Sequence, residues 1–191
     1  MFNVAIKHAK RDFRTMTFRY AGLIVATAIG LLAPSAASAD YCITFHPGKT
    51  SADFYGGLWT LRENNFQWIA NLDPDQKRAK HAEAIVKFYR MNSHCFAGPV
   101  ADNATFNYWL VDSRAPRGGL GGQDCIFFNN PATLKVVREG SQYRVADGSH
   151  SWRIVPTYQD ATNAIQIIQQ YGFRASCWAG WPAPVMTYFV Q

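Results

Sequence analysis

Two cysteine-bounded stretches of this chain match each other, and that internal likeness constrains the fold more than any single motif. Cys42-Ile43-Thr44-Phe45-His46 answers Cys125-Ile126-Phe127-Phe128-Asn129, and about fifty residues further on Cys95-Phe96-Ala97-Gly98 answers Cys177-Trp178-Ala179-Gly180. Phe106-Asn107-Tyr108-Trp109 then returns as Met186-Thr187-Tyr188-Phe189. Self-similarity at a fixed period signals one supersecondary unit made twice, with a face of each buried against its twin. The expectation is a tandem duplication, with unit one at 40–111, a Gly-rich linker at 112–124 and unit two at 125–191.

Residues 1–39 read as a secretory signal peptide. Lys7, Lys10, Arg11, Arg14 and Arg19 precede the apolar run Ala21 to Ala33, which ends in Pro34-Ser35-Ala36-Ala37-Ser38-Ala39. Small Ala37 and Ala39 suit a cleavage site ahead of Asp40. The apolar run is short against the roughly 20 residues a membrane-crossing helix needs. The leader holds five of the nineteen Lys and Arg and, at Asp12, one of the thirteen Asp and Glu, so the remainder carries about +2. The basicity belongs to targeting, and the one cationic cluster beyond it, Lys77-Arg78-Ala79-Lys80, reads as a solvated helix face rather than a nucleic-acid stripe.

All four cysteines fall in the exported part, where an even count reads as two disulfides. Repeat symmetry favours Cys42 with Cys95 and Cys125 with Cys177. The exchanged pairing, Cys42 with Cys177 and Cys95 with Cys125, respects the same symmetry and stays open. No CxxC pair offers a zinc site.

Hydrophobic periodicity supplies the elements. Ala82, Ile85, Val86 and Tyr89 make one apolar helix stripe, and Ala161, Ala164, Ile165 and Ile168 make another. Asp73-Pro74-Asp75 opens the first helix with a cap, a proline and an acid, and Gly172 suits the left-handed end of the second. Strand runs precede each helix, at Gly57 to Leu61 and Phe66 to Ala70, and at Thr133 to Val137, Gln142 to Ala146 and Ser151 to Val155. A terminal strand follows each second cysteine. The fold class is therefore α+β, two small disulfide-stapled units, each an antiparallel sheet packed on one helix.

Motifs for catalysis are missing: there is no HExxH, no Gly-x-Ser-x-Gly, and the four glycines near 118–122 lack the Lys-Ser/Thr of a phosphate loop. Asp73 and Asp75 read as caps. The chain is expected to be neither an enzyme nor a cofactor or metal protein. Aromatics are the richer signal. Trp59 with its counterpart Tyr143, and Trp68 with Trp152, read as core. Trp178 and Trp181 sit beside Gly180, Pro182 and Pro184, in a loop that is hard to bury whole, and an exposed indole can stack on the apolar face of a sugar.

Cys125-Ile-x-Phe-Asn129, Gly148-Ser149-His150, Tyr171-Gly172-Phe173 and Cys177-Trp178-x-Gly180-x-Pro182-x-Pro184-x-Met186-x-Tyr188 together resemble a bacterial secreted, lectin-like repeat domain described as mannan-binding. The likeness spans nearly all of unit two and, more faintly, unit one. It implies a non-catalytic carbohydrate-binding protein, secreted or periplasmic, with a polysaccharide or glycan partner. Combined with the aromatic reading, it points to Trp178, Trp181, Tyr188, Tyr108, Trp109 and Asn129 as ligand-binding residues. The family pattern has Gly-Arg-Pro after the second cysteine, whereas Gly180-Trp181-Pro182 and Gly98-Pro99 stand here, and if that arginine contacts ligand, binding in this chain is altered or lost. The alternative is an inhibitor or adhesion module that docks on an envelope or host protein. Neither reading involves nucleic acid or a membrane span after signal cleavage.

Overall fold

The computed structural model describes residues 40–64, 67–97, 106–119, 124–148, 150–180 and 184–191. The signal-peptide reading, Trp181 and the middle of the Gly-rich stretch (120–123) lie outside them. The first half runs β1 (Tyr41–Thr44), a 3-10 turn (Pro47–Lys49), β2 (Thr50–Tyr55), β3 (Leu58–Glu63), β4 (Gln67–Asp73), α1 (Gln76–Tyr89), β5 (Ser93–Phe96) and β6 (Asn107–Leu110). The second half has the same kinds of element in the same order. It runs β7 (Asp124–Phe127), a 3-10 turn (Pro131–Thr133), β8 (Lys135–Glu139), β9 (Gln142–Asp147), β10 (His150–Val155), α2 (Tyr158–Tyr171), β11 (Ala175–Ala179) and β12 (Met186–Val190).

Local chemistry explains most of these boundaries. The β2–β3 hairpin turns through Gly56 and Gly57 at φ 61° and 89°, a backbone that only glycine adopts without strain. Helix α1 is capped by Asp75, whose carboxylate accepts from the Arg78 N–H at 2.9 Å. The helix thus starts after the Asp73-Pro74-Asp75 run and not within it, because Asp73 is occupied in accepting from the Asp75 N–H and the Arg78 guanidinium, both at 2.7 Å. Thr157 caps α2, and Gly172 closes it at φ 63° as expected, while Arg90 takes the same left-handed place after α1 at φ 57°.

Each half holds two three-stranded antiparallel sheets, not the single sheet expected. The meanders β2-β3-β4 and β8-β9-β10 carry the helices, and the sheets β1-β5-β6 and β7-β11-β12 carry the cysteines. Cys42 faces Cys95 in the β1–β5 register and Cys125 faces Cys177 in the β7–β11 register, and both pairs are bonded. The exchanged pairing is therefore excluded.

Side chains alternate across a strand, and here both faces of β6 and β12 find a core. Trp109 of β6 joins Phe45, Leu61, Ile69, Ile85, Val86 and Met91 in the first half's core, while Tyr108 and Leu110 point the other way, into the core of Phe128, Val145, Val155, Ile168 and Phe173. β12 reciprocates, with Phe189 in its own half's core and Met186, Tyr188 and Val190 in that of the first half. The Tyr89 and Tyr188 rings meet at 5.8 Å, as Tyr171 and Tyr108 do at 5.4 Å. Even the bridges cross over: Cys95 packs in the second core and Cys177 in the first. Gly180, at φ 86°, lets the Arg78 side chain of α1 lie where a Cβ would stand 3.1 Å from it.

The segment expected to be a flexible linker is partly docked. Ala115 and Pro116 are buried, the Pro116 carbonyl accepts from the Gln191 N–H at 2.8 Å, and the Gly118 carbonyl accepts from the Tyr89 hydroxyl at 2.7 Å. Two buried residues ahead of the glycines and these two hydrogen bonds hold it against the body of the protein.

Candidate functional site

A cleft of about 260 Å³ opens where β4, β5 and β6 meet the start of β12. Its walls are Trp68, Asn71, His94, Phe96, Asn107 and Trp109 from the first half, with Pro184 to Thr187 from the second. Both halves therefore build it.

A β-bulge sets the outer lip. Along β3–β4, Arg62 pairs with Trp68 and Leu61 with Ala70, which leaves Ile69 as an extra residue. The extra residue breaks the alternation, so that Ile69 and Ala70 are both buried and Trp68 turns outward, 45% exposed. Trp68 is thus not core, contrary to its expected place, and its Nε1–H donates to Asn71 Oδ1 at 2.9 Å, which fixes the indole plane. Its sequence counterpart Trp152 lies on β10, and the Trp152 side chain is outside the described part.

The inner wall is His94. It faces Trp109 across the β5–β6 register, and the two rings lie flat together, 4.0 Å apart and 5° from parallel. Phe96 closes on the same imidazole at 4.4 Å. His94 Nδ1 sits 2.9 Å from the carbonyl oxygen of Ile69, the bulge residue. A carbonyl only accepts, so Nδ1 carries the proton. Burial pushes the His94 pKa from 6.5 down to about 4, against the opposing pull of the Ile69 hydrogen bond, and the ring is neutral at pH 7. With His94 neutral, no side chain among the described residues lining the cleft is charged.

This burial has a measurable consequence in acid. Between pH 6.5 and 4 the unfolded chain binds a proton that the folded chain refuses, so His94's share of stability is complete above pH 6.5 and is lost as the pH falls to 4. The loss should be roughly 3 kcal/mol, since each tenfold change in proton affinity is worth about 1.4 kcal/mol. Urea midpoints taken across that range should fall steeply, and a His94→Phe variant should flatten the slope. A second loss belongs lower. Burial raises the Glu83 carboxyl, but hydrogen bonds from Lys80, Lys87 and the Ala52 N–H outweigh it and hold the group below its usual 4.5. That contribution is present above pH 4.5 and fades only below it.

Of the described residues expected to bind ligand, Trp109 alone lines this cleft, and Trp181 lies outside the described residues. Trp178 is half-buried on β11, opposite Thr187 and Asp124. Tyr108 and Tyr188 are fully buried, so their rings are core and offer no face to a ligand. The Tyr108 hydroxyl donates to Asp40 at 2.6 Å. Asn129 lines a separate polar cleft with Asn130, Gln169, Arg174 and Gln191, and its N–H donates to Asp147. Trp68, His94, Phe96 and Asn107 are not expected as ligand residues from sequence. A signal for two of them exists, since a cysteine committed to one face of β5 sends its neighbours His94 and Phe96 to the other.

One further surface is asymmetric. The β2–β3 tip exposes Phe54, Tyr55 and Leu58, with the Arg62 guanidinium 4.7 Å over the Tyr55 ring, whereas the β8–β9 tip presents Arg138, Glu139 and Gln142. Among the described residues no group of three or more His, Cys, Asp or Glu is placed to hold a metal ion, and no helix is long and apolar enough to cross a membrane.

No protein-family model, curated protein or solved structure matches this chain. The class is set by the molecule's own features: a mixed, sheet-rich α+β protein with two disulfides and an aromatic cleft, shared by its halves, whose described lining residues carry no charge.

Proposed function

We propose that this is an exported, non-catalytic glycan-binding protein of tandem-duplicated origin, and that the cleft beside Trp68 is its binding site. The observation that carries the reading is the lining: a half-exposed indole held by an amide, two further aromatic rings, Asn107 and Thr187, and no charge among the described residues. A neutral sugar asks for that combination, an apolar ring face to stack and hydroxyls to bond. A charged ligand would enter without compensation. The mannan-like resemblance suggests a polysaccharide, and the leader and disulfides suit export. The corresponding positions of β11 and β12 hold Ser176, Trp178, Thr187 and Phe189 in place of His94, Phe96, Asn107 and Trp109, so the two halves are not equivalent binders.

The test is retention of the oxidised chain 40–191 on insoluble mannan and on unrelated polysaccharides. Trp68→Ala should weaken retention at least about tenfold, the loss of a central aromatic anchor, with folding intact. Trp178→Ala should have a smaller effect. Unchanged retention of Trp68→Ala would remove the cleft from the reading, and no retention on any polysaccharide would remove the reading itself. A second reading, docking on a protein, is favoured by the exposed Phe54, Tyr55 and Leu58 tip, which occurs in one half only. It gains if retention fails throughout.

A further inference from the structure

We propose that Nε2 of His94 is the hydrogen-bond acceptor that selects the ligand, so that the cleft takes a neutral sugar through a hydroxyl donated to that nitrogen. The inference rests on the glycan reading above and deepens it.

Three contacts fix the imidazole: Nδ1–H on the Ile69 carbonyl at 2.9 Å, the flat stack on Trp109 at 4.0 Å, and Phe96 at 4.4 Å. The ring cannot exchange its nitrogens without breaking the first of these. Nε2 therefore keeps its lone pair, and it is buried without a hydrogen-bond partner among the described residues, on a residue that is 3% exposed and lines the cleft. A buried acceptor left unmade is costly, and a ligand that satisfies it recovers that cost.

The chemistry of the donor follows from the rest of the wall. An ammonium group would bring a charge that no carboxylate among the described lining residues answers. An ether or a carboxylate would set lone pair against lone pair. A hydroxyl on a neutral ring brings the donor without the charge, and the ring's C–H face suits Trp68. The second half lacks this device. Ser176 stands where His94 does, also buried and unpartnered, but a hydroxyl both donates and accepts and so discriminates less.

The experiment is a titration of the oxidised chain 40–191, labelled with ¹⁵N at histidine and at the tryptophan indoles, with soluble manno-oligosaccharides, gluco-oligosaccharides and N-acetylated oligosaccharides of matched length. The expected result is a shift of the His94 Nε2 resonance that saturates together with the Trp68 indole shift. His94→Phe should keep a ring on Trp109 and weaken affinity roughly tenfold or more. A Trp68 shift with Nε2 unmoved overturns the role of His94 and leaves the glycan reading standing. An Nε2 shift with N-acetylated sugars alone overturns the hydroxyl in favour of an amide N–H. No shift at either residue with any sugar overturns both. The titration of the unchanged protein decides the matter even where the variant fails to fold.

Discussion

Residues 40–119 and 124–191, produced as separate chains, will each be unfolded, although each contains a complete set of strands, a helix and a disulfide pair. The first half's core includes Cys177, Met186, Tyr188 and Val190, and the second's includes Cys95, Phe106, Tyr108 and Leu110. At about 1.5–3 kcal/mol for each large apolar side chain buried, either half alone forgoes roughly 6 kcal/mol or more. Whole domains are stable by only about 5–15 kcal/mol. Units this small are marginal even with a closed core. Circular dichroism and amide exchange on each fragment check this, and a cooperative melt from either one would count against it. In the intact chain, Tyr188→Ala should cost about 3–5 kcal/mol, in the range of other large aromatic truncations, and should speed amide exchange in α1, which belongs to the other half.

Removing either disulfide will be nearly as damaging, and equally so for the two. Cys42 and Cys95 are separated by 53 residues and Cys125 and Cys177 by 52, so the closed loops are the same size to within one residue. The chain-entropy account puts each at about 4 kcal/mol. Because Cys95 and Cys177 are fully buried, alanine is the fitting replacement: serine would add an unsatisfied hydroxyl to the core. The paired variants Cys42→Ala with Cys95→Ala, and Cys125→Ala with Cys177→Ala, should lower the urea midpoint by similar amounts. Neither should separate the unfolding of one half from that of the other, since the buried cysteine of each bridge, Cys95 or Cys177, is packed in the opposite core. A loss below about 1 kcal/mol, or two separate transitions, would contradict the account.

The helices, the β8–β9 hairpin and the favoured disulfide pairing are legible in the sequence because each rests on local or symmetric information. The stripe Ala82, Ile85, Val86 and Tyr89 needs only a period, and all four are buried. In α2 the same reasoning finds Ala161, Ala164 and Ile168 but takes Ile165 where Ile167 is the more deeply buried, a shift well within one turn. β2 is not legible, because Thr50-Ser51-Ala52-Asp53 has few β-formers. The strand forms because β3 and the Glu83 carboxylate, which accepts from the Ala52 N–H, hold it in place.

The candidate site is mostly illegible, for a different reason. Trp68 reads as a core aromatic in the sequence, and one extra residue in β4 turns it outward, since a bulge depends on the register between two strands and not on the run of either. Aromatic richness draws attention to Tyr108 and Tyr188, whose hydroxyl-bearing rings are committed to the two cores. In the sequence His94 is a lone histidine with no companion motif. Its meaning comes from Ile69, twenty-five residues away in the chain, and from Trp109 across the sheet.

By itself the sequence determined the two helices and their apolar faces, the β8–β9 hairpin and the favoured partners of the four cysteines, because periodicity and capping act through residues near one another and the matched cysteine stretches set the pairing. Only the tertiary structure decided that the halves share their cores, that Trp68 faces outward and that His94 is neutral beside it. Those outcomes turn on which face of β6 and β12 meets which half and on what burial does to a charge, and both are properties of the packed chain.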